Sequence, residues 1–137
     1  MSFTFTKKQD MTNERLEIIF KNITTTVQGQ NGHWQFEIDN TRFICLTDAH
    51  HNRMRIISPI IEADKVTQEQ MLKCMEANFH TALDSKYAIS NGILWSAFIH
   101  PLEELTERQA IDAISQVYSG VRTFGTSYSS GALSFRK

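Results

Sequence analysis

Histidines, cysteines, paired carboxylates and a serine-rich turn are the groups in this chain that could do chemistry, and none of them has a spacing that completes a site. Asp48, His50 and His51 crowd one short segment. Zinc needs three or four converging ligands, commonly including a helical i, i+4 pair, and neighbouring histidines on an extended chain point apart. The trio therefore reads as a polar loop. His33 begins a strand, His80 lies on a helix face and His100 precedes Pro101, so each has a structural place, and no partner is visible that would make one a pH switch. Gly125, Thr126, Ser127, Tyr128 and Ser129 imitate a nucleophile elbow, but Ser129 stands where glycine is needed. The segment also follows a helix where a strand is required. Glu103 and Glu104 precede a helix, where carboxylates favour the positive end of the dipole, and they read as helix-entry charges rather than an acid–base pair. Neither a phosphate-binding G-x-x-x-x-G-K-[ST] run nor G-x-G-x-x-G occurs, and the Gly29 to Gly32 stretch reads as a turn. Cys45 falls in an apolar strand and Cys74 in a helix without C-x-x-C spacing, as small buried hydrophobes of a reducing compartment do. The expectation is no catalytic residue, no metal site and no cofactor.

Composition narrows the partners. The 137 residues hold 14 Lys and Arg against 15 Asp and Glu, for a net charge of −1. That balance leaves no electrostatic footprint for nucleic acid and no polybasic run for a membrane. Trp34, Phe36 and Trp95 could stack bases only inside a basic groove, and Glu37 and Asp39 offset the nearby Arg42, Arg53 and Arg55. Both tryptophans read as core. Met1 to Lys8 lack the apolar run of a signal peptide, and no segment is long enough to span a bilayer, so the expected compartment is the cytoplasm. The length suits one domain over residues 1–137.

The elements follow from periodicity. Leu16, Ile19, Phe20 and Ile23 fall at i, i+3, i+4 and i+7, which predicts a helix over about Asp10 to Asn22. Trp34, Phe36 and Ile38 alternate with polar residues in a half-buried strand, and Asp39 with Asn40 makes the turn into Arg42 to Leu46. A third strand, Arg53 to Ser58, should end at Pro59, which cannot donate a ladder hydrogen bond. Thr67 with Gln70 forms a capping box for a helix from about Gln68 to Leu83, whose stripe of Met71, Leu72, Met75, Phe79 and Leu83 is expected in the core. Tyr87 to Ser90 and Ile93 to His100 flank an Asn91–Gly92 hairpin turn. Thr106 with Gln109 opens the last helix, which carries Ala110, Ile114, Val117 and Val121 and is capped at Gly125. The tail from Thr126 to Lys137 is rich in Ser and Gly, although Tyr128, Leu133 and Phe135 are apolar enough to dock, and its last residues are expected to be mobile in part.

The strand Ile93 to His100 breaks the alternation expected of a sheet with one wet face, because Ile93, Trp95, Ala97 and Ile99 point one way and Leu94 and Phe98 the other. Both faces need cover. If the tryptophan side meets the helices, the second face gathers Leu94 and Phe98, with Ile44 and Leu46 as neighbours. These four are the expected partner-binding residues.

The order helix, three strands, helix, two strands, helix resembles the type III secretion chaperone-like fold, and within it the YbjN-like family of bacterial proteins. The local likeness lies in Glu76, Ala77, Asn78 and Phe79, then Lys86 to Ile89, the Asn91–Gly92 turn, Ile93 to Ala97, and the entry into the last helix from Leu102 to Gln109. What the resemblance implies is an α+β domain with a five-stranded antiparallel sheet in the order α-βββ-α-ββ-α, often paired as a homodimer. It further implies a noncatalytic protein-binding role, chaperone-like or regulatory, with a protein client. The nearly neutral charge departs from the marked acidity of many secretion chaperones. The rival expectation is a small-molecule sensor or an enzyme with a pocket between sheet and helices using His33, His80 or His100.

Overall fold

The computed structural model describes residues 9–131. Among them the helices are α1 (Asn13–Ile23), α2 (Gln68–His80) and α3 (Glu107–Thr123). The strands are β1 (Gln28–Gln30), β2 (His33–Ile38), β3 (Thr41–Asp48), β4 (Arg53–Glu62), β5 (Ser85–Ser90) and β6 (Ile93–Pro101). The strands form one antiparallel sheet in the order β1-β2-β3-β4-β6-β5. The α+β class stands, but the sheet has six strands where five are expected from the sequence. The extra strand, β1, comes from the Gly29 to Gly32 stretch. Its link to β2 is an Asn31–Gly32 turn with φ of 53° and 91°, the same positive-φ pair that Asn91 and Gly92 supply between β5 and β6 at 52° and 74°. Such turns match the twist of the strands they join.

Local chemistry sets the helix boundaries. Thr67 and Thr106 each accept a backbone N–H from the residue three positions on, and Gln70 and Gln109 accept the backbone N–H of those threonines in return. Thr12 caps α1 by accepting the Arg15 N–H at 3.2 Å.

One face of the sheet carries the main core. Leu16, Ile19 and Phe20 of α1 and Ala110, Ala113, Ile114 and Val117 of α3 close over Trp34, Phe36, Phe43, Cys45, Met54, Ile56 and Phe98. The aromatic centre is continuous: the Phe20 ring lies 5.7 Å from Trp34 and 4.8 Å from Phe36, which stacks on Phe43 at 5.3 Å. A smaller cluster joins Cys74 and Ala77 of α2 to Tyr87, Leu94 and Tyr128.

Two local expectations need correction. β4 does not stop at Pro59. Its pairing with β3 has ended by Ile57, so the proline's missing donor falls where one neighbour has departed, and a bulge between Pro59 and Ile61 lets pairing with β6 resume. The stripe of α2 is not core: Leu72, Met75 and Phe79 are exposed, and the helix buries Cys74 and Ala77 instead. The first residues of the tail dock, as the apolar Tyr128 leads one to expect, with Tyr128 and Ser130 buried and the Ser130 N–H donating to the Thr81 carbonyl. Thr123 Oγ1 holds both the N–H and the carbonyl of Ser129. Leu133 and Phe135 lie outside the described residues.

Candidate functional site

Among the described residues no helix covers one face of the sheet, and that face is the candidate site. Side-chain parity places Ile44 and Leu46 of β3, Arg55 and Ile57 of β4, and Trp95, Ala97 and Ile99 of β6 on it, in cross-strand register. One row runs His33, Leu46, Arg55, Ile99 and the next Gln35, Ile44, Ile57, Ala97. Together they floor a concavity of about 530 Å³, which Ala88, Ile89, Ser90 and Asn91 help to line. Trp95 is tied to the hairpin, its Nε1–H donating to the Ser90 carbonyl at 3.1 Å. An indole held in this way is a preorganised anchor for an apolar partner.

Of the four residues expected to meet a partner, Ile44 and Leu46 are on this face and half-buried. Leu94 and Phe98 are not. They are 1% and 4% exposed and pack under the helices, because the parity of β6 is the reverse of the one assumed. The strand is apolar on both sides, so its sequence carries no sign of which side is dry. The deciding signal lies in β4, whose Met54, Ile56 and Ser58 are buried while Arg53 and Arg55 alternate with them. Cross-strand register then carries that assignment to Phe98 and leaves Ile99, opposite Arg55, 56% exposed.

Side chains close part of each lateral margin of the sheet. At the β5 edge the side-chain amide of Asn78 accepts the Tyr87 N–H and donates to the Tyr87 carbonyl. At the other edge, beyond the reach of β1, Thr26 Oγ1 accepts the Glu37 N–H at 2.8 Å and donates to the Glu37 carbonyl at 3.0 Å. Such closure discourages strand addition.

The groups singled out for chemistry do not converge. Asp48 holds His51 twice, Oδ2 meeting Nδ1 at 2.8 Å and Oδ1 accepting the backbone N–H at 3.1 Å. Those bonds hold the Asp48 carboxyl below its ordinary value and define a polar turn. His33 lines the open face, His100 lines a separate concavity beside α3, and His80 sits on α2 against Phe79. Burial pushes both thiols up, Cys74 to about 11, so neither is a thiolate at neutral pH. Among the described residues no group of three or more His, Cys, Asp or Glu could hold a metal, and no helix is long and apolar enough to cross a membrane.

No protein-family model and no curated protein sequence matches the chain. Solved structures do. A chain of the HopA1–SchA chaperone–effector complex superposes with a TM-score of 0.62 at 13% identity, covering 80% of this chain and 88% of its own. A chain of the ExsC–ExsE complex superposes with a TM-score of 0.53 at 12% identity, covering 68% and 76%. This is a chaperone-like fold. At such identities the likeness extends to the fold and not to particular residues.

Proposed function

We propose that the chain is a noncatalytic, cytoplasmic protein-binding module, chaperone-like or regulatory, which works as a homodimer and holds a client segment on the open face of its sheet. The observation that carries this reading is the uncovered apolar floor of Ile44, Leu46, Ile57, Trp95 and Ile99. Burying an aliphatic or aromatic side chain of this size is worth about 1.5–3 kcal/mol, so a few contacts support association. Support also comes from the fold shared with chains of chaperone–effector complexes. The resemblance to the YbjN-like family favours the regulatory form of the same role.

The dimer is assigned to α2. Leu72, Met75 and Phe79 make an exposed apolar stripe at helical spacing, with Glu69 and Lys73 alongside, a rim of mixed sign suited to meeting its own copy. Affinity capture with the wild-type chain and with Trp95→Asp tests the client reading. The client should be retained by the first and lost by the second while the fold is kept. Equal recovery on both would contradict it.

A further inference from the structure

The open face is not electrically neutral. Arg42, Arg53 and Arg55 stand on it with Lys86, against Glu37, Asp48 and Glu62. Two of the anions and the lysine have local engagements: Asp48 holds His51, Glu62 pairs with Lys65 at 3.6 Å, and Lys86 Nζ donates to the Ala82 and Leu83 carbonyls. Glu37 sits opposite Arg42 in register but forms no ion pair with it. Among the described residues no hydrogen bond, ion pair or ring contact engages the guanidinium of Arg42, Arg53 or Arg55. Arg55 is the central one, flanked in its row by Leu46 and Ile99 and two residues from Arg53 on the same strand face. A guanidinium between exposed aliphatic side chains offers a planar fork of donors, and a partner that covers those aliphatics also excludes water from its bond.

Building on the client-binding role proposed above, we infer that the open face selects an acidic-amphipathic protein segment, with apolar side chains seated on Ile57, Trp95 and Ile99 and carboxylates meeting Arg55, Arg53 and Arg42. Charge decides against the other occupants. A second copy laid face to face across the centre of the sheet would set the Arg55 guanidinium, which has no anion opposite it in register, against its own copy, which costs association energy. Residues 1–8 and 132–137 carry Lys7, Lys8, Arg136 and Lys137 and no Asp or Glu side chain, so these segments do not supply the carboxylates. A nucleic acid would need cations around the aromatic ring, whereas the neighbours of Trp95 across the strands are Pro59 and Ala88.

The test uses short labelled peptides alternating Leu with Glu or Leu with Lys, titrated into the full chain and followed by fluorescence anisotropy at low and high salt. The Leu–Glu peptide should bind about tenfold or more tighter than the Leu–Lys peptide, with the preference shrinking as salt rises. The double charge reversal Arg42→Glu with Arg55→Glu, at exposed positions, should invert the preference with an unchanged circular dichroism spectrum. Equal binding of both peptides, abolished by Trp95→Asp, overturns the charge selection while leaving the face as a client site. Binding of neither peptide overturns both readings. Tighter binding of a single-stranded oligonucleotide than of the Leu–Glu peptide, or a dimer dissociated by Ile99→Asp, overturns the assignment of this face to an acidic segment.

Discussion

Asn78 of α2 substitutes for a neighbouring strand at Tyr87 of β5: its Oδ1 accepts the Tyr87 N–H at 2.8 Å and its Nδ2 donates to the Tyr87 carbonyl at 3.0 Å. The pair latches the helix to the sheet edge with the hydrogen bonds a seventh strand would have made. Asn78→Ala leaves both backbone groups unpaired, and the expected loss is about 1–3 kcal/mol in urea denaturation. Amide exchange should accelerate in α2 and β5 before it does in β2 and β3. The freed edge should also promote association at high concentration, which light scattering reads.

Two adjacent residues on β6 should respond in opposite ways to the same substitution. Phe98→Asp buries a carboxylate in the main core and should unfold the chain, since an unpaired buried charge costs several kcal/mol. Ile99→Asp places the charge on the open face and should change stability by no more than about 0.5 kcal/mol while weakening client binding. Thermal melts and binding titrations of the two variants separate these outcomes. A Phe98→Asp protein that folded and lost only binding would return the partner face to the Leu94 side.

Most of the elements were readable from the chain because caps and turns are local. Thr67 with Gln70, Thr106 with Gln109 and the Asn91–Gly92 turn all hold in the structure. β1 escaped because Gln28, Gly29 and Gln30 have no apolar alternation, although Asn31–Gly32 carried the same turn signal as Asn91–Gly92. The face of β6 and the stripe of α2 escaped for a different reason. Periodicity shows that Leu72, Met75 and Phe79 share a side, but not whether that side meets this chain's sheet or lies open. Cys74, Ala77 and the Asn78 latch hold the helix from its other side. Ile44 and Leu46 lie on the open face and Leu94 and Phe98 under the helices, and only the Arg53–Arg55 alternation on β4 says which side is wet.

Gly120 should tolerate no branched side chain. A Cβ there would lie 2.5 Å from Ser96 Oγ and 3.2 Å from its Cβ, so the glycine lets α3 settle directly on β6. Its carbonyl also accepts the Tyr87 hydroxyl at 2.8 Å. Gly120→Val is expected to push α3 away and cost about 1–3 kcal/mol, read as a lowered melting temperature.

The α2 stripe predicts an oligomer that can be dissolved without unfolding the protomer. Phe79 is 81% exposed in the single chain, so Phe79→Glu removes no core contact and should cost the protomer itself no more than about 0.5 kcal/mol, apart from the concentration-dependent stabilisation that dimerisation lends the wild type. Sedimentation should show the wild type as a dimer at micromolar concentration and the variant as a monomer. A wild-type monomer under those conditions sinks the dimer, and a dimeric Phe79→Glu protein moves the interface off α2.

Alkaline pH should loosen the cluster that α2, β5 and the docked tail share. Burial pushes Tyr87 up from 10.0 to about 12 and Cys74 from 9.0 to about 11, so the folded state keeps protons that the unfolded chain releases earlier. Where the unfolded state binds fewer protons, stability falls as pH rises. The stabilisation is therefore whole below about pH 9, declines first through Cys74 between pH 9 and 11, and then through Tyr87 between pH 10 and 12. Tyr87→Phe gives up the hydroxyl bond to Gly120 and should lose about 1 kcal/mol at neutral pH. The same variant should show a shallower decline above pH 10, so that its stability curve approaches that of the wild type as pH rises. Urea midpoints measured from pH 7 to 11 test this, and curves that ran parallel throughout would show that the Tyr87 hydroxyl titrates alike in the folded and unfolded chain.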